Sequence, residues 1–228
     1  MRAPLDMMET QKTDWKIRCV IYDCDGVLFD SLEANTRLYN DLCALVGRGP
    51  LRQEEMEYVH THTVFEAIRF IFGEKEDLEK KALEILKQKQ VDLKNYVEYL
   101  KMEPHLLHVL EELKQRGILR VINTNRTTSM KYIMERFNLW PYFEMVVTAL
   151  DVKNPKPHPE SIEKIIEALK LKKAEAVFIG DSDVDQQTAK SSGVKFVAYK
   201  NKKIANDAYI EDHFDLLGLI FNRNDSRK

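Results

Sequence analysis

The sequence has no long apolar run and almost no net charge. No stretch approaches the ~18–20 consecutive apolar residues that a membrane-spanning helix requires. The 35 Lys and Arg residues nearly balance the 37 Asp and Glu residues, which leaves a net charge of −2. Such a charge provides no long-range attraction to nucleic acid or to an anionic membrane surface. We therefore expect neither as a partner.

Cysteine is also scarce. Cys19, Cys24 and Cys43 follow no metal-binding spacing and cannot all pair with one another. Their number favours a reducing, cytoplasmic setting. Residues 1–16 contain acidic residues and no continuous apolar segment, so we interpret them as a loose end and not as a secretory signal.

What the sequence does contain is an alternation of apolar strand-like segments and helical segments. The predicted strands cover residues 18–24, 118–122, 145–149, 176–179 and 195–199. The predicted helices that accompany them cover residues 104–116, 129–137, 160–169, 185–191 and 214–221. Alternation of this kind predicts an α/β fold, a doubly wound, Rossmann-like parallel sheet with helices on both faces. The hydrophobic fraction of 44% is sufficient for a sizeable core.

Residues 34–100 interrupt this alternation. Apolar residues there recur at helical spacing, as in the series that begins at Leu38, and strand signals are absent. We predict an inserted all-helical cap domain at 34–100, and a core domain formed by 1–33 and 101–228. The two crossings between core and cap are predicted near Ser31–Asn35 and Tyr99–Glu103.

Two aspartates follow the first predicted strand. Asp23 and Asp25 end its apolar run and precede Gly26. Two carboxylates this close resist double ionisation unless a cation lies between them or one of them carries a proton. Both conditions suit a Mg²⁺ site and a nucleophile beside an acid or base. An acidic turn that merely closes the strand is the alternative, since Asp and Gly are common turn residues.

Polar residues follow three further segments of the predicted core. They are Thr124 and Asn125, then Lys156, then Asp181 and Asp185. Ligands of doubly wound sheets bind beyond the carboxyl ends of the strands, so these groups are expected on one rim with the first two aspartates. Each has an alternative role as a helix cap, a solvated lysine or a turn residue. Their joint placement at successive strand ends favours a shared binding site over these separate roles.

These four segments resemble, in order, the four motifs of the haloacid dehalogenase (HAD) superfamily of hydrolases. The first is Asp-x-Asp-Gly-Val-Leu-x-Asp-Ser at residues 23–31, and the second is Thr-Asn at 124–125. The third is Lys-Pro-x-Pro-Glu at 156–160, and the fourth is Gly-Asp-Ser-x-x-Asp at 180–185. The resemblance spans about residues 18–200 and places the helical block where the phosphoglycolate-phosphatase-like branch has its cap.

The resemblance implies a role for each carboxylate. Asp23 would be the nucleophile that forms an aspartyl-phosphate, and Asp25 the acid that protonates the leaving group and then the base that activates water. Mg²⁺ would be held by Asp23, by the backbone carbonyl of Asp25 and by Asp181. Asp185 would support this set indirectly.

It also implies a set of groups that hold the phosphate. Lys156 would balance the charge on Asp23 and on the phosphoryl group. Thr124, Asn125 and the backbone near Gly26 would bind the equatorial phosphate oxygens.

Other residues near these motifs receive simpler interpretations. Cys24 is expected to point sideways into the core, because neighbours along a strand alternate faces. Asp30 is interpreted as a carboxylate that ties down its loop, and Asp183 as a solvated turn residue. Arg126 directly follows the second motif and is the cation nearest to it by sequence.

The sequence His-Thr-His-Thr at residues 60–63 bears on specificity. The turn at this place leans over the active site in caps of related proteins, so His62 and Thr63 are candidate specificity residues. Two histidines without nearby carboxylates are a weak metal signal. The alternative is that Thr61 or Thr63 only caps the following helix.

The function implied by the resemblance is a Mg²⁺-dependent, phosphoglycolate-phosphatase-like hydrolysis of a small phosphomonoester. Its partner would be a small phosphorylated metabolite, and the chain would act as a monomer or a weak homo-oligomer. A phosphomutase of the β-phosphoglucomutase type shares the core motifs and is the alternative. A haloacid dehalogenase would have no use for Asp25 or for a metal. A non-enzymatic relative would be expected to lack Asp23 or Asp25.

Overall fold

The computed structural model of the protein describes residues 15–88 and 90–221. The predicted loose end at 1–16 lies almost entirely outside the described residues. The described strands are β1 (Cys19–Tyr22), β2 (Phe29–Asp30), β3 (Lys101–Met102), β4 (Leu119–Asn123), β5 (Met145–Val147), β6 (Ala176–Gly180), β7 (Lys195–Tyr199) and β8 (Ala208–Ile210).

Six of these strands form one parallel sheet with the spatial order β5-β4-β1-β6-β7-β8. β1 lies inside the sheet between β4 and β6. Val20 and Tyr22 pack into the core on one face of the sheet, and Cys19 and Ile21 pack into the core on the other. Burial on both faces explains why this strand is a continuous apolar run. The predicted doubly wound α/β fold is confirmed.

Helices pack around this sheet and form the insert. They are α1 (Leu32–Val46), α2 (Gln53–Thr61), α3 (Val64–Phe72), α4 (Glu76–Lys87), α5 (Leu106–Gln115), α6 (Ser129–Arg136), α7 (Glu160–Ala168), α8 (Asp183–Ser192) and α9 (His213–Ile220). The core elements that the sequence predicts are all present, with ends that differ by at most two residues. No helix within the described ranges is long and apolar enough to cross a membrane.

One strand of the sheet was not predicted. β8 is only three residues long, Ala-Tyr-Ile, and it pairs with β7 at the edge of the sheet. An apolar segment this short carries no usable periodicity, so the pairing with β7 is what defines it.

The helical insert comprises α1 to α4 and a 3₁₀ helix, Leu93–Tyr99, and it lies between β2 and β3. These two short strands pair antiparallel, so both crossings run side by side. The prediction of the first crossing at Ser31–Asn35 extends too far, because α1 already begins at Leu32.

The insert has a hydrophobic core of its own, separate from the two cores that flank the sheet. Among its members are Leu42, Ile68, Phe72 and Ile85. The division into domains at residues 34 and 101 stays a prediction, but a separate core is what an independent cap would require.

All three cysteines are free and buried. Burial raises the pKa of the Cys19 thiol to about 12, which keeps it protonated. Cys24 is fully buried and belongs to a core cluster, as its sideways orientation predicts. The cytoplasmic setting inferred from these residues stays a prediction.

Candidate active site

Three carboxylates and one lysine meet beyond the carboxyl ends of β1 and β6. Asp23, Asp181 and Asp185 each provide an oxygen, and these oxygens lie within 4.8 Å of one another. The Lys156 Nζ donates to Asp23 Oδ1 at 2.8 Å and to Asp185 Oδ1 at 2.6 Å. One ammonium among three carboxylates leaves an excess of negative charge when all are ionised. Such a cluster suits a divalent cation.

Two carboxyls of this cluster, those of Asp23 and Asp181, resist ionisation. Burial raises the pKa of Asp23 to about 7, the neighbouring Asp185 adds to the increase, and Lys156 opposes it. Burial, followed by the charges of Asp185 and Asp23, also holds the pKa of Asp181 well above its usual value. Burial alone would lower the pKa of Lys156, but the two carboxylates it contacts outweigh burial and raise it. The ammonium therefore stays charged.

Two glycines permit the close approach of these groups. Gly26 has a φ of 72°, and a Cβ there would lie 2.0 Å from Asp181 Oδ2. A Cβ on Gly180 would lie 2.3 Å from the Cβ of Asp185. Any larger residue at either position would displace a carboxylate of the cluster.

The start of α8 fixes Asp185, and Asn201 contacts the backbone of Asp181. Ser182 caps this helix, accepting from the Asp185 backbone N–H and donating to Asp185 Oδ2 at 2.5 Å. Asp185 is fully buried, with its second oxygen on Lys156. The hydrogen bond from Asn201 goes to the backbone carbonyl of Asp181, which leaves the Asp181 carboxylate available to a cation. Asp183 is exposed, as expected for a solvated residue.

Asp25 lies beside the cluster in a bidentate pair with Arg126. Arg126 Nη2 donates to Asp25 Oδ1 at 2.6 Å, and Arg126 Nε donates to Asp25 Oδ2 at 2.8 Å. Burial by itself would raise the pKa of Asp25, but the guanidinium outweighs burial and holds that pKa below its usual value. Burial acts to lower the pKa of Arg126, and Asp25 more than compensates for it.

Asn35, on α1, contacts this pair and was missed by the sequence analysis. Its Nδ2 lies 3.3 Å from Asp25 Oδ1, and its Oδ1 lies 3.3 Å from Arg126 Nη2. Asn35 shares the buried positions of α1 with Tyr39 and Leu42. A polar residue on an otherwise apolar helix face is the signal that could have identified it.

The second motif joins the core to the insert. Thr124 is buried and its hydroxyl accepts from the Arg126 backbone N–H at 3.1 Å, so it caps no helix. The Asn125 amide donates to the carbonyl of Lys156 at 3.1 Å and to the carbonyl of Thr61 at 3.2 Å. Asn125 Oδ1 is buried without a partner, which leaves an acceptor inside the pocket.

The turn at residues 60–63 covers the site. His60, Thr61 and His62 line the same pocket as Asp23 and Asp25.

The residues of this turn differ in what they face. His62 stacks on Tyr58 with ring centroids 3.7 Å apart. Thr63 is buried and forms a capping box with Glu66 at the start of α3, and it is absent from the pocket lining. The geometry of Thr63 matches the helix-cap alternative, while His62 reaches the pocket.

His60 is a further pocket residue that the sequence analysis did not select. Its Nδ1 lies 3.3 Å from Asn35 Nδ2, and its Nε2 is buried without a partner. Burial lowers the pKa of His60, which favours the neutral ring.

A sequence model of the haloacid dehalogenase-like hydrolase family matches residues 20–199. The chain belongs to this family. The matched region contains all four motifs, the helical insert and the sheet strands from β1 to β7 apart from Cys19, while β8 lies beyond it. The predicted family and enzyme class, a hydrolase, are thereby confirmed.

Individual relatives agree with this assignment. A solved HAD-superfamily hydrolase of subfamily IA, variant 1, from Geobacter sulfurreducens is 35% identical, with a TM-score of 0.74, covering 92% of this chain and 99% of that one. A phosphoglycolate phosphatase from Rhodobacter capsulatus is 27% identical over 183 residues, which are 79% of this chain and 83% of the relative.

A third relative matches over a shorter stretch. It is provisionally named pyrophosphatase PpaX, comes from Caldanaerobacter subterraneus, and is 35% identical over 131 residues. Those residues are 54% of this chain and 60% of the relative, so the match spans less than two thirds of that protein.

Proposed function

We propose that this protein is a Mg²⁺-dependent phosphatase that hydrolyses a small phosphomonoester through an aspartyl-phosphate intermediate. The observation that carries the proposal is the cluster of Asp23, Asp181 and Asp185 around Lys156, with Asp25 next to it. Relatives named phosphoglycolate phosphatase and pyrophosphatase support the general reaction.

The donor set fits a magnesium ion. Mg²⁺ prefers carboxylate and carbonyl oxygens and usually retains several waters. Asp23, Asp181 and the backbone carbonyl of Asp25 would hold it, with Asp185 fixing Lys156 and the start of α8. When bound, the cation would neutralise phosphoryl charge and lower the pKa of the carboxyls that hold it.

The first half of the proposed reaction transfers the phosphoryl group to the protein. A carboxylate oxygen of Asp23 attacks phosphorus, the bond between phosphorus and the leaving oxygen breaks, and Asp25 gives its proton to that oxygen. The Lys156 ammonium, at 2.8 Å from Asp23, offsets the charge that accumulates between nucleophile and phosphate.

The second half returns the protein to its starting state. Asp25, now ionised, takes a proton from a water molecule, whose oxygen attacks the same phosphorus. The bond to Asp23 breaks, and inorganic phosphate leaves. The Thr124 hydroxyl and the backbone amides near Gly26 hold the remaining phosphate oxygens in both steps. The Asn125 amide would add a donor to a phosphate oxygen only by giving up its hydrogen bond to the Thr61 carbonyl.

The helical insert is proposed to act as a cap over these steps. The hydrogen bond between Asn125 and the Thr61 carbonyl, together with the contact of Asn35 with Asp25, ties the insert to the catalytic groups. A closed insert excludes water while the leaving group departs and limits wasteful side reactions.

The test is phosphate release from a panel of phosphomonoesters and pyrophosphate, with Mg²⁺ and with EDTA. We expect release that requires Mg²⁺ and an acid-stable phosphoryl label on the protein that is lost in Asp23→Asn. Full activity in EDTA would contradict the metal assignment. Conversion of a hexose 1-phosphate to the 6-phosphate without phosphate release would indicate the phosphomutase alternative instead.

A further inference from the structure

A second cavity lies directly beside the catalytic pocket, at the seam between the insert and the core. It has a volume of about 470 Å³, whereas the catalytic pocket has about 50 Å³. The larger volume is within the ~300–1,000 Å³ of typical small-molecule sites. Val64, Leu93 and Thr127 line both spaces, so the two spaces adjoin at these residues.

This seam cavity is predominantly apolar. Its apolar lining includes Phe65, Leu83, Leu86 and Val91 from the insert, and Tyr132 and Leu150 from the core. Phe65 is 54% exposed and Leu150 is 56% exposed. Large apolar side chains that face solvent next to a catalytic pocket are typical of a ligand-binding surface.

The cations of the catalytic pocket are already engaged. Arg126 is paired with Asp25, and Lys156 is paired with Asp23 and Asp185. Among the described residues that line the seam cavity, Lys87 is the one cation, and Asp92 lies in the same lining. A strongly anionic leaving group would therefore find little compensation there, whereas an apolar one would lose unfavourable contact with water.

We propose that the seam cavity binds an apolar arm of the substrate's leaving group, an alkyl chain or an aromatic ring attached to the phosphate ester. This inference rests on the proposed phosphatase function and specifies its substrate class. The phosphoryl group lies at Asp23, and the arm passes Thr127 and packs between Leu86 and Leu150.

The first experiment compares n-alkyl phosphates from ethyl to octyl with the wild-type protein and Mg²⁺. We expect kcat/KM to rise by up to about four-fold per methylene, the factor equivalent to ~0.8 kcal/mol per buried CH₂. Release from short esters with no dependence on chain length would overturn the inference but leave the phosphatase proposal intact. No release from any alkyl ester, while the phosphomonoester panel is hydrolysed, would also overturn the inference, and no release from either set would refute the phosphatase proposal.

Two variants test whether the dependence on chain length arises in the seam cavity. Leu150→Glu places a charge in the cavity at an exposed loop position, so the fold is retained, and Phe65→Glu does the same from the insert. Both are expected to abolish the dependence on chain length while ethyl phosphate keeps its rate. Leu107→Glu, at an exposed leucine on α5 outside the cavity, is the matched control and is expected to behave as wild type.

A binding measurement gives a readout independent of turnover. Calorimetry with alkylphosphonates, which cannot lose their carbon arm by hydrolysis, is expected to give a heat capacity change that becomes more negative as the chain lengthens. With Leu150→Glu, the heat capacity change is expected to stay the same as the chain lengthens. A flat series with wild type, together with a dimer in sedimentation that Leu150→Glu dissociates, would assign the cavity to a second copy of the chain and overturn the inference.

Discussion

Arg126 holds Asp25 through two parallel hydrogen bonds, of 2.6 and 2.8 Å, at the mouth of the catalytic pocket. Asp25 is the proposed acid, and an acid must carry a proton when the leaving group departs. The Arg126 guanidinium favours the ionised form of Asp25. It therefore opposes the first half of the reaction, in which Asp25 must donate a proton, and favours the second half, which starts from ionised Asp25.

Arg126→Gln should therefore change the pH dependence of the reaction. Removing an opposite charge in direct contact raises the pKa of a carboxyl, typically by about 1–3 units. The basic limb of the kcat/KM profile, which reports loss of the acid's proton in the free enzyme, should move to higher pH by about one unit or more. His60 also acts on the pKa of Asp25, and the charges of Asp23 and Asp25 repel each other; both residues are unchanged in this variant.

The control for this variant is Arg37→Gln, because Arg37 is an exposed arginine that pairs with Glu33 on the same helix. Its profile should match that of the wild type. A basic limb that stays in place in Arg126→Gln, with activity reduced at all pH values, would mean that Arg126 positions Asp25 without setting its protonation.

Asp23→Asn should abolish phosphate release and leave the fold intact. The amide oxygen can still accept from Lys156, and Lys156 keeps its second contact to Asp185. Turnover should fall below about a thousandth of the wild-type value, as expected when a nucleophile is lost from a set of groups that act together. Asp183→Asn, an exposed position next to the cluster, should retain activity. Substantial turnover in Asp23→Asn would exclude the aspartyl-phosphate route.

The Asp23 carboxyl should make the metal-free protein less stable as the pH rises from about 4 to about 7, relative to a variant that lacks this carboxyl. The pKa of Asp23 is about 7 in the folded chain, above the roughly 3.9 of an unfolded aspartate. At Asp23 the folded state therefore binds more protons than the unfolded state in this interval, so the contribution of this group to the free energy of unfolding falls as the pH increases. His60 and His213, whose pKa values are lowered by burial, contribute in the opposite direction. Asp181, whose pKa is raised in the same direction, adds to the effect.

Asp181→Asn should make the metal-free protein more stable at pH 8, because it removes one of the repelling carboxylates. Mg²⁺ should raise the Tm of the wild type more at pH 8 than at pH 5, and should do little for the variant. For a chain of this size, ~1 kcal/mol corresponds to about 2–4 °C. Thermal unfolding at both pH values measures all of this, with Asp183→Asn as the control. Equal Mg²⁺ stabilisation of the variant would remove Asp181 from the metal site.

The sequence predicted the parts of this protein that depend on local order along the chain. Asp23 and Asp25 follow a buried strand, and strand ends of a parallel sheet share an edge, so their place was predictable. The contacts of Asn35 with Asp25 and Arg126 were not, since they depend on how α1 packs on the core. The seam cavity was not predictable for the same reason, because its lining residues come from segments far apart in sequence and no local pattern identifies it.

Movement of the insert should be visible at its two crossings. The backbone N–H of Glu103 donates to the Leu28 carbonyl at one crossing, and the backbone N–H of Asn35, in the first turn of α1 beside the other crossing, donates to the Ser31 carbonyl. If the insert closes over a bound phosphate analogue such as vanadate, hydrogen exchange at these amides should slow. The sheet strand β6 serves as the internal reference, since its exchange should not change. Identical exchange at the crossings with and without vanadate would indicate a rigid insert.

The two candidates for specificity, His62 and Thr63, should now separate by experiment. Thr63 forms a capping box with Glu66 and does not line the pocket. Thr63→Ala should therefore lower stability by about 1 kcal/mol, the usual cost of a lost N-cap, and leave the ranking of substrates unchanged.

His62→Ala, in contrast to Thr63→Ala, should change the ranking of substrates. The ring lines the pocket and stacks on Tyr58, so its loss removes a contact to the part of the substrate beyond the phosphate. Relative kcat/KM among good substrates should change, while a compact ester such as ethyl phosphate keeps its rate, because the phosphoryl chemistry at Asp23 is untouched. Thermal unfolding and the substrate panel, run on both variants, give the comparison. If His62→Ala alters only stability, then His62 supports the turn over the site and specificity resides in other residues of the pocket.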